Sequence, residues 1–288
     1  MEQRFNAGTR PKSNIRPPAV AGLFYPADPA ALGATIDTLV AEPQEPSGLP
    51  KALIVPHAGY IYSGAVAGRT YASLGPAARS LRRVVLLGPS HHEWFRGLAI
   101  PAAEAFATPL GVVRIDTEAV SKLRELPAVV VSDAPHAREH SLEVQLPFLQ
   151  RLAPAAEIIP VVAGEATAAE VEAVIDALWD GTETLIIASS DLSHYHPYGI
   201  ARALDAASAQ AILAYRQDLS AEQACGCVVL NGLARAARKH GLRAELLELR
   251  NSGDTAGDRR RVVGYGAFGY YDEKSLASWD KGLAHTGS

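Results

Sequence analysis

Hydrophobic residues in this chain fall into two kinds of run that alternate along most of its length. Ala52-Leu-Ile-Val55, Val84-Val-Leu-Leu87, Ile158-Ile-Pro-Val-Val162 and Leu185-Ile-Ile-Ala188 are short, uninterrupted and without a polar face. Strands buried on both sides of a parallel sheet have this character, because neither face meets water. Amphipathic segments lie between them. Asp28-Pro29 is a cap and first-turn pair for a helix with Leu32, Ile36, Leu39 and Val40 on one face. The pattern predicts further helices near 63–74, 116–125, 140–152, 167–179, 199–215, 220–224 and 228–240. It predicts further strands at 129–131, near 244–249 and near 262–271. The last of these alternates glycines with large residues, which predicts a strand packed closely against other backbone, antiparallel at the end of the sheet. The fold class is α/β: three layers, α/β/α, around a mostly parallel central sheet.

A chain of 288 residues suits one large domain, since a single core can grow to about 250–300 residues. Residues 16–272 are expected to form that domain, between a flexible N-terminal arm over 1–15 and a flexible C-terminal tail over 273–288. The net charge of −4 offers no basic face for a phosphate backbone, so nucleic acid is not an expected partner. The first residues lack the apolar stretch of a signal peptide, and no later run approaches the roughly 18–20 apolar residues that span a bilayer. A cytoplasmic protein is expected. Cys225 and Cys227, one residue apart, are read as thiols, because a bridge between them would be awkward and close almost no loop.

Three strand-like runs end on polar clusters: Pro56-His57-Ala-Gly-Tyr60, Gly88-Pro-Ser-His91-His92 and Ser189-Ser-Asp191-Leu-Ser-His194. Ligands of open α/β sheets bind outside the carboxyl ends of the strands, so if these runs are neighbours they share one site. Each residue also has a plainer reading. His57 can simply bond a loop, and His91-His92 can be a solvated turn in which at most one imidazole faces a metal. Cys225 can be a small buried hydrophobe. It can instead complete a three-ligand site with two imidazoles, its position before a helix start favouring the thiolate. Asp191 can cap a helix, or it can fix the tautomer of His194, three residues on, as a base needs. His196 can be exposed.

Glu139-His140-Ser-Leu-Glu143 opens a predicted helix, where Glu139 or Glu143 can satisfy first-turn amides and His140 can point into the strand-end crevice. It lacks the His-Glu-x-x-His order of zinc proteases. Asn251-Ser-Gly-Asp254 reads as a turn between strands with room for a rim role. Nucleotide-binding glycine loops and a serine-hydrolase elbow do not occur where they would be needed.

Taken in order, Ala21-Gly-Leu-Phe-Tyr-Pro26, Pro-His57-Ala-Gly-Tyr, Gly-Pro-Ser-His91-His92, Glu-His140-Ser-Leu-Glu-Val-Gln-Leu-Pro, Ser-Ser-Asp191-Leu-Ser-His194 and Asn-Ser-Gly-Asp254 resemble the Memo family. In prokaryotes that family is also called AmmeMemoRadiSam system protein B. The resemblance implies a fold similar to the class III extradiol non-heme iron dioxygenases. It implies metal ligands at His57, His91 and Cys225, with Asp191 and His194 lining the site and His194 in the place of the dioxygenases' base. It also implies iron or copper as cofactor, and AMMECR-type and radical-SAM proteins as partners. Those dioxygenases use a carboxylate where this chain has Cys225, which makes the metal softer and does not favour catechol cleavage.

Three functions are therefore expected to compete. One is a dioxygenase-like oxidoreductase in which His57, His91 and Cys225 hold the metal, His194 moves protons, Asp191 orients His194 or bound water, and His140 faces the crevice. Another is metal-assisted hydrolysis. The third is a non-catalytic module that holds a small molecule or peptide.

Overall fold

The structure, a computed structural model, describes residues 14–41 and 48–272. The expected arm and tail lie outside the described residues, except for Asn14 and Ile15. Asn14 donates to the Ala102 carbonyl and Ile15 pairs with Ala105.

In chain order the first half contains β1 (Ile15–Arg16), α1 (Pro29–Leu39), β2 (Ala52–Val55), α2 (Tyr60–Ala72), β3 (Arg83–Pro89), β4 (Leu98–Ile100), β5 (Ala105–Thr108), β6 (Gly111–Arg114), α3 (Thr117–Leu123), β7 (Val129–Val131) and α4 (Ala134–Ala137). The second half contains α5 (Leu146–Leu152), β8 (Glu157–Ala163), α6 (Ala168–Ala177), β9 (Thr184–Ser189), β10 (His194–His196), α7 (Tyr198–Leu213), α8 (Cys227–Lys239), β11 (Leu242–Asn251) and β12 (Val262–Asp272). Local chemistry sets several boundaries. Asp28 accepts the Ala31 amide at 2.8 Å with Pro29 in the first turn, and Thr167 and Glu170 form a reciprocal capping box at the start of α6.

The main sheet runs β12-β2-β9-β3-β8-β4-β7, with β10 and β11 both paired to β12. Its centre, β2-β9-β3-β8, is parallel throughout. Nearly every side chain of these four strands is buried. α2 packs on β2, β11 and β12 with α1 and α5 beside it. α7 lies over β11 and β12, and α8 over β3 and β9 with α6 against it. The two faces of β12 separate these helices, since Tyr265 packs with Val66 of α2 while the neighbouring Gly264 meets Asp205 of α7. The sheet is therefore covered on both sides, as the apolar runs require.

Several details depart from the pattern. β12 is antiparallel to β2, β10 and β11, as its composition suggested, but it lies inside the sheet. Its Gly264 accommodates a side chain, not backbone: a Cβ there would sit 2.2 Å from an Asp205 oxygen. The helix predicted over 140–152 begins later, with a 3-10 turn at Glu143–Gln145 followed by α5. Glu139 is the reason, because its carboxylate accepts the amides of His140 and Ser141 and holds that stretch in a turn. The segment near 220–224 makes only a turn. There the Asn231 side chain of α8 takes the Leu219 amide and gives back to the Leu219 carbonyl, both at 3.0 Å. β1, β4, β5, β6 and β10 have no counterpart in the hydrophobic pattern; at two to four residues each, partner strands define them more than propensity does.

Candidate metal centre

β2, β9 and β3 are adjacent and parallel, so the residues after their carboxyl ends emerge side by side: His57 after β2, Asp191 after β9 and His91 after β3. The loop before α5 adds His140, and the turn before α8 adds Cys225. Gly226 makes that last approach possible. A Cβ at its position would lie 2.8 Å from the Ser190 Cβ and 2.9 Å from the Ser189 carbonyl, so only glycine lets the Cys225 turn close on the end of β9.

The ligand atoms of His57, His91 and His140 all lie within 4.8 Å of one another, a group that could hold a metal ion. Cys225 Sγ is 3.2 Å from His57 Nε2 and accepts the Asp191 amide at 3.3 Å. Cys225 thus lies against His57 at the edge of the cluster, and His140 stands in it as a third imidazole, its ring 4.5 Å from that of His91. His92 is exposed, its ring 6.2 Å from that of His140, and it is outside that group.

Hydrogen bonds set which ring nitrogens face the cluster. Ser189 Oγ spends its proton on the Ser141 carbonyl at 2.6 Å, so at 3.0 Å from His57 Nδ1 it can only accept. His57 therefore carries its proton on Nδ1 and turns a bare Nε2 to the crevice. Gln145 holds Ser189 in place through Nε2, which also donates to the Pro56 carbonyl, while its Oε1 accepts from Tyr71. Glu139 does the same for His91: its carboxylate takes Nδ1–H at 2.8 Å and the His91 amide at 2.6 Å. Carboxylates and hydroxyls in this place fix the tautomer and raise the basicity of a ligand imidazole.

Burial shapes the titration of these groups. It raises Glu139, but the His91 imidazole and the amides of His91 and Ser141 outweigh it and hold the carboxyl far below its usual range. His57 is held well below 6.5 by burial and then by the neighbouring His91 and His140 rings. Burial lowers His140 to about 4 against the pull of Glu139, and lowers His136 to about 4 against its bond to the Ala99 carbonyl. Burial pushes Asp191 up to about 7 and, with the Asp191 charge, Cys225 up to about 12. The thiolate expected from the helix start is thus not favoured in the metal-free chain, because loss of water outweighs the few amides that reach the sulfur.

A pH prediction follows. From about pH 4 to 6.5, His57, His136 and His140 stay neutral in the fold but protonate on unfolding, and His194, also lowered by burial, acts in the same direction, so unfolding takes up protons and stability falls as the pH falls. Asp191 and Asp205, both raised by burial, act the other way. With more groups lowered than raised, the metal-free chain loses stability on acidification through this window, by about 1.4 kcal/mol per pH unit for each net proton. Urea denaturation across the window measures it; a midpoint that stays level or rises on acidification contradicts it.

The expected Asp191–His194 pairing is not what the fold builds. Asp191 accepts the His57 amide at 2.8 Å and neither caps a helix nor turns to His194. The His194 imidazole bonds the Leu192 backbone and is lowered by burial. The cause is β10: the pairing of His194 and His196 with β12, and the Ser193 amide on Asp205, carry this stretch away from Asp191. Asp191, His194 and the half-buried His196 do line one cleft of about 1220 Å3 with the cluster, closed by Phe24, Tyr62, Tyr195, Arg261 and Tyr265. Tyr195 sits at φ 63, a left-handed conformation uncommon for a side chain of its size. Asn251–Asp254 is the expected turn, closed by a reciprocal Asn251–Asp254 capping box, and its Ser252 reaches the cleft rim. Glu139, Ser189, Gln145 and Phe24, whose ring lies 4.7 Å from that of His140, are support the sequence did not single out for this purpose. Only the nearness of Glu139 to His140 and of Ser189 to Asp191 hinted at them.

A family model described as Memo-like protein matches residues 16–268. A MEMO1 family protein of Aquifex aeolicus is 37% identical over 271 residues, covering 87% of this chain and 97% of its own length. One of Archaeoglobus fulgidus is 38% identical over 266 residues, with the same coverage of 87% and 97%. Among solved structures, an uncharacterized protein of Escherichia coli K12 matches at TM-score 0.46 and 16% identity, covering 77% of this chain and 99% of that one.

Proposed function

Since the chain belongs to the Memo-like family, we propose that it binds iron or copper through His57, His91 and Cys225, with His140 as a further donor, and uses the metal for oxidation–reduction. The observation that carries this reading is the convergence of three imidazoles within 4.8 Å, with a thiol 3.2 Å from one of them. The donor set fits such a metal. Neutral imidazoles and a thiolate suit copper, iron or zinc better than magnesium or calcium. The Cys225 thiol, held high by loss of water, gives up its proton when a cation compensates the charge. A bound redox metal would supply electron transfer that no side chain here provides.

The residues around it have distinct tasks. Ser189 and Glu139 hold His57 and His91 with the donor nitrogen inward. Asp191, near 7, is a carboxyl that can hold or release a proton close to neutral pH at the cleft floor. His194 stands on the cleft wall as a second proton carrier for whatever the cleft holds. Phe24, Tyr62, Tyr195 and Tyr265 give the cleft apolar and aromatic surface.

The volume of about 1220 Å3, larger than the roughly 300–1,000 Å3 of common ligand pockets, leaves room for a second reading, in which the cleft holds a small molecule or short peptide without chemistry. Metal content after oxygen-free reconstitution with Fe2+ or Cu+ separates the two. Near-stoichiometric metal is expected in the unaltered chain, with loss in Cys225→Ala and His57→Ala. A metal-free chain, or variants that keep the metal, leaves the binding module.

A further inference from the structure

A second, separate cleft of about 480 Å3 also reaches His91 and Cys225. Its remaining polar side chains include His92, Glu93 and Glu165, beside the exposed Trp94, and no lysine or arginine lines it. Glu93 and Glu165 pair with Arg138 at 3.3 Å and Arg96 at 3.8 Å, both exposed pairs that a competing cation can open. The turn that carries the histidines is closed on itself: Ser90 Oγ donates to the Glu93 carbonyl at 2.6 Å and accepts the Glu93 amide at 3.3 Å. That turn sends two adjacent imidazoles apart. His91 faces inward on Glu139, whereas His92 faces solvent with its ring 6.2 Å from that of His140. An exposed imidazole outside the cluster thus stands at the mouth of this cleft, beside the solvent-reached His91 and in front of the half-buried His140 and the buried His57.

We propose that this smaller cleft is the route by which a transition-metal cation reaches the cluster, and that His92 is a staging ligand outside the final donor set. The inference rests on the metal reading above. A staging ligand lowers the barrier in both directions, so it speeds loading and release equally and leaves affinity unchanged.

The test is rapid mixing of the metal-free chain with Co2+, followed by the absorption of cobalt bound to thiolate and imidazole. His92→Ala is expected to slow both loading and chelator-driven release by about tenfold, as for about 1.4 kcal/mol on the barrier, with stoichiometry and affinity kept. Val228→Trp, which fills the cleft with apolar bulk, is expected to slow loading too. Wild-type loading rates in both variants overturn the proposal. So does a weaker affinity in His92→Ala at an unchanged loading rate, which makes His92 a resident ligand. If the unaltered chain takes up no Co2+ even at equilibrium, the metal reading itself fails.

Discussion

Replacing Glu143 with alanine is expected to destabilise the fold by about 3–5 kcal/mol, the range for removing one partner of a buried ion pair. Glu143 is fully buried and accepts the amides of Ala19 at 2.7 Å and Val20 at 2.9 Å and the Tyr25 hydroxyl at 2.6 Å. It also pairs with Arg16, whose guanidinium donates to the carbonyls of His136 at 2.7 Å and Glu139 at 2.8 Å. The substitution leaves a buried cation, two amides and a phenol without their acceptor. It also frees the segment that lays Phe24 on His140 and accepts the Tyr60 amide on the Phe24 carbonyl, just after His57. Stability and metal affinity should fall together. Denaturant titration at neutral pH with an unchanged slope measures the first; a loss under about 1 kcal/mol, the worth of an exposed pair, contradicts it.

Glu139→Gln is expected to weaken metal binding by about 10–100-fold, the usual cost of losing a carboxylate behind a ligand histidine. The His91 ring and the amides of His91, His140 and Ser141 all donate to that carboxylate, and the His140 ring nitrogen lies 3.4 Å from it. A glutamine must turn its own NH2 toward one of them. His91 then loses the partner that fixes its tautomer, and the His140 turn loosens as well. Competition against a chelator reads the affinity. An affinity within twofold of the unaltered chain would mean that Glu139 shapes the loop but does not prepare the ligand.

Much of the frame was legible because its signals are local. Four uninterrupted apolar runs could only be strands buried on both faces, and the rule that ligands gather beyond parallel strand ends then placed His57, His91 and Asp191 together. Cys225 and His140 reached the same crevice by way of the family resemblance and a residue pattern before a helix. What stayed hidden depends on distant partners. Glu139 serves His91 from 48 residues away, so no spacing rule could pair them. His194 leaves Asp191 because β12 recruits it into β10, a pairing between segments nearly seventy residues apart. The Cys225 thiol follows burial, which overrides the helix start that the sequence does show.

The most direct measurement is X-ray absorption at the metal edge of the iron- or copper-loaded chain. Imidazole scattering together with one sulfur near 2.3 Å, the sulfur lost in Cys225→Ala, is expected if the strand-end histidines and the thiol hold the metal. A shell of nitrogen and oxygen alone, unchanged in that variant, would place the metal on the histidines without Cys225 and remove the thiolate from the chemistry.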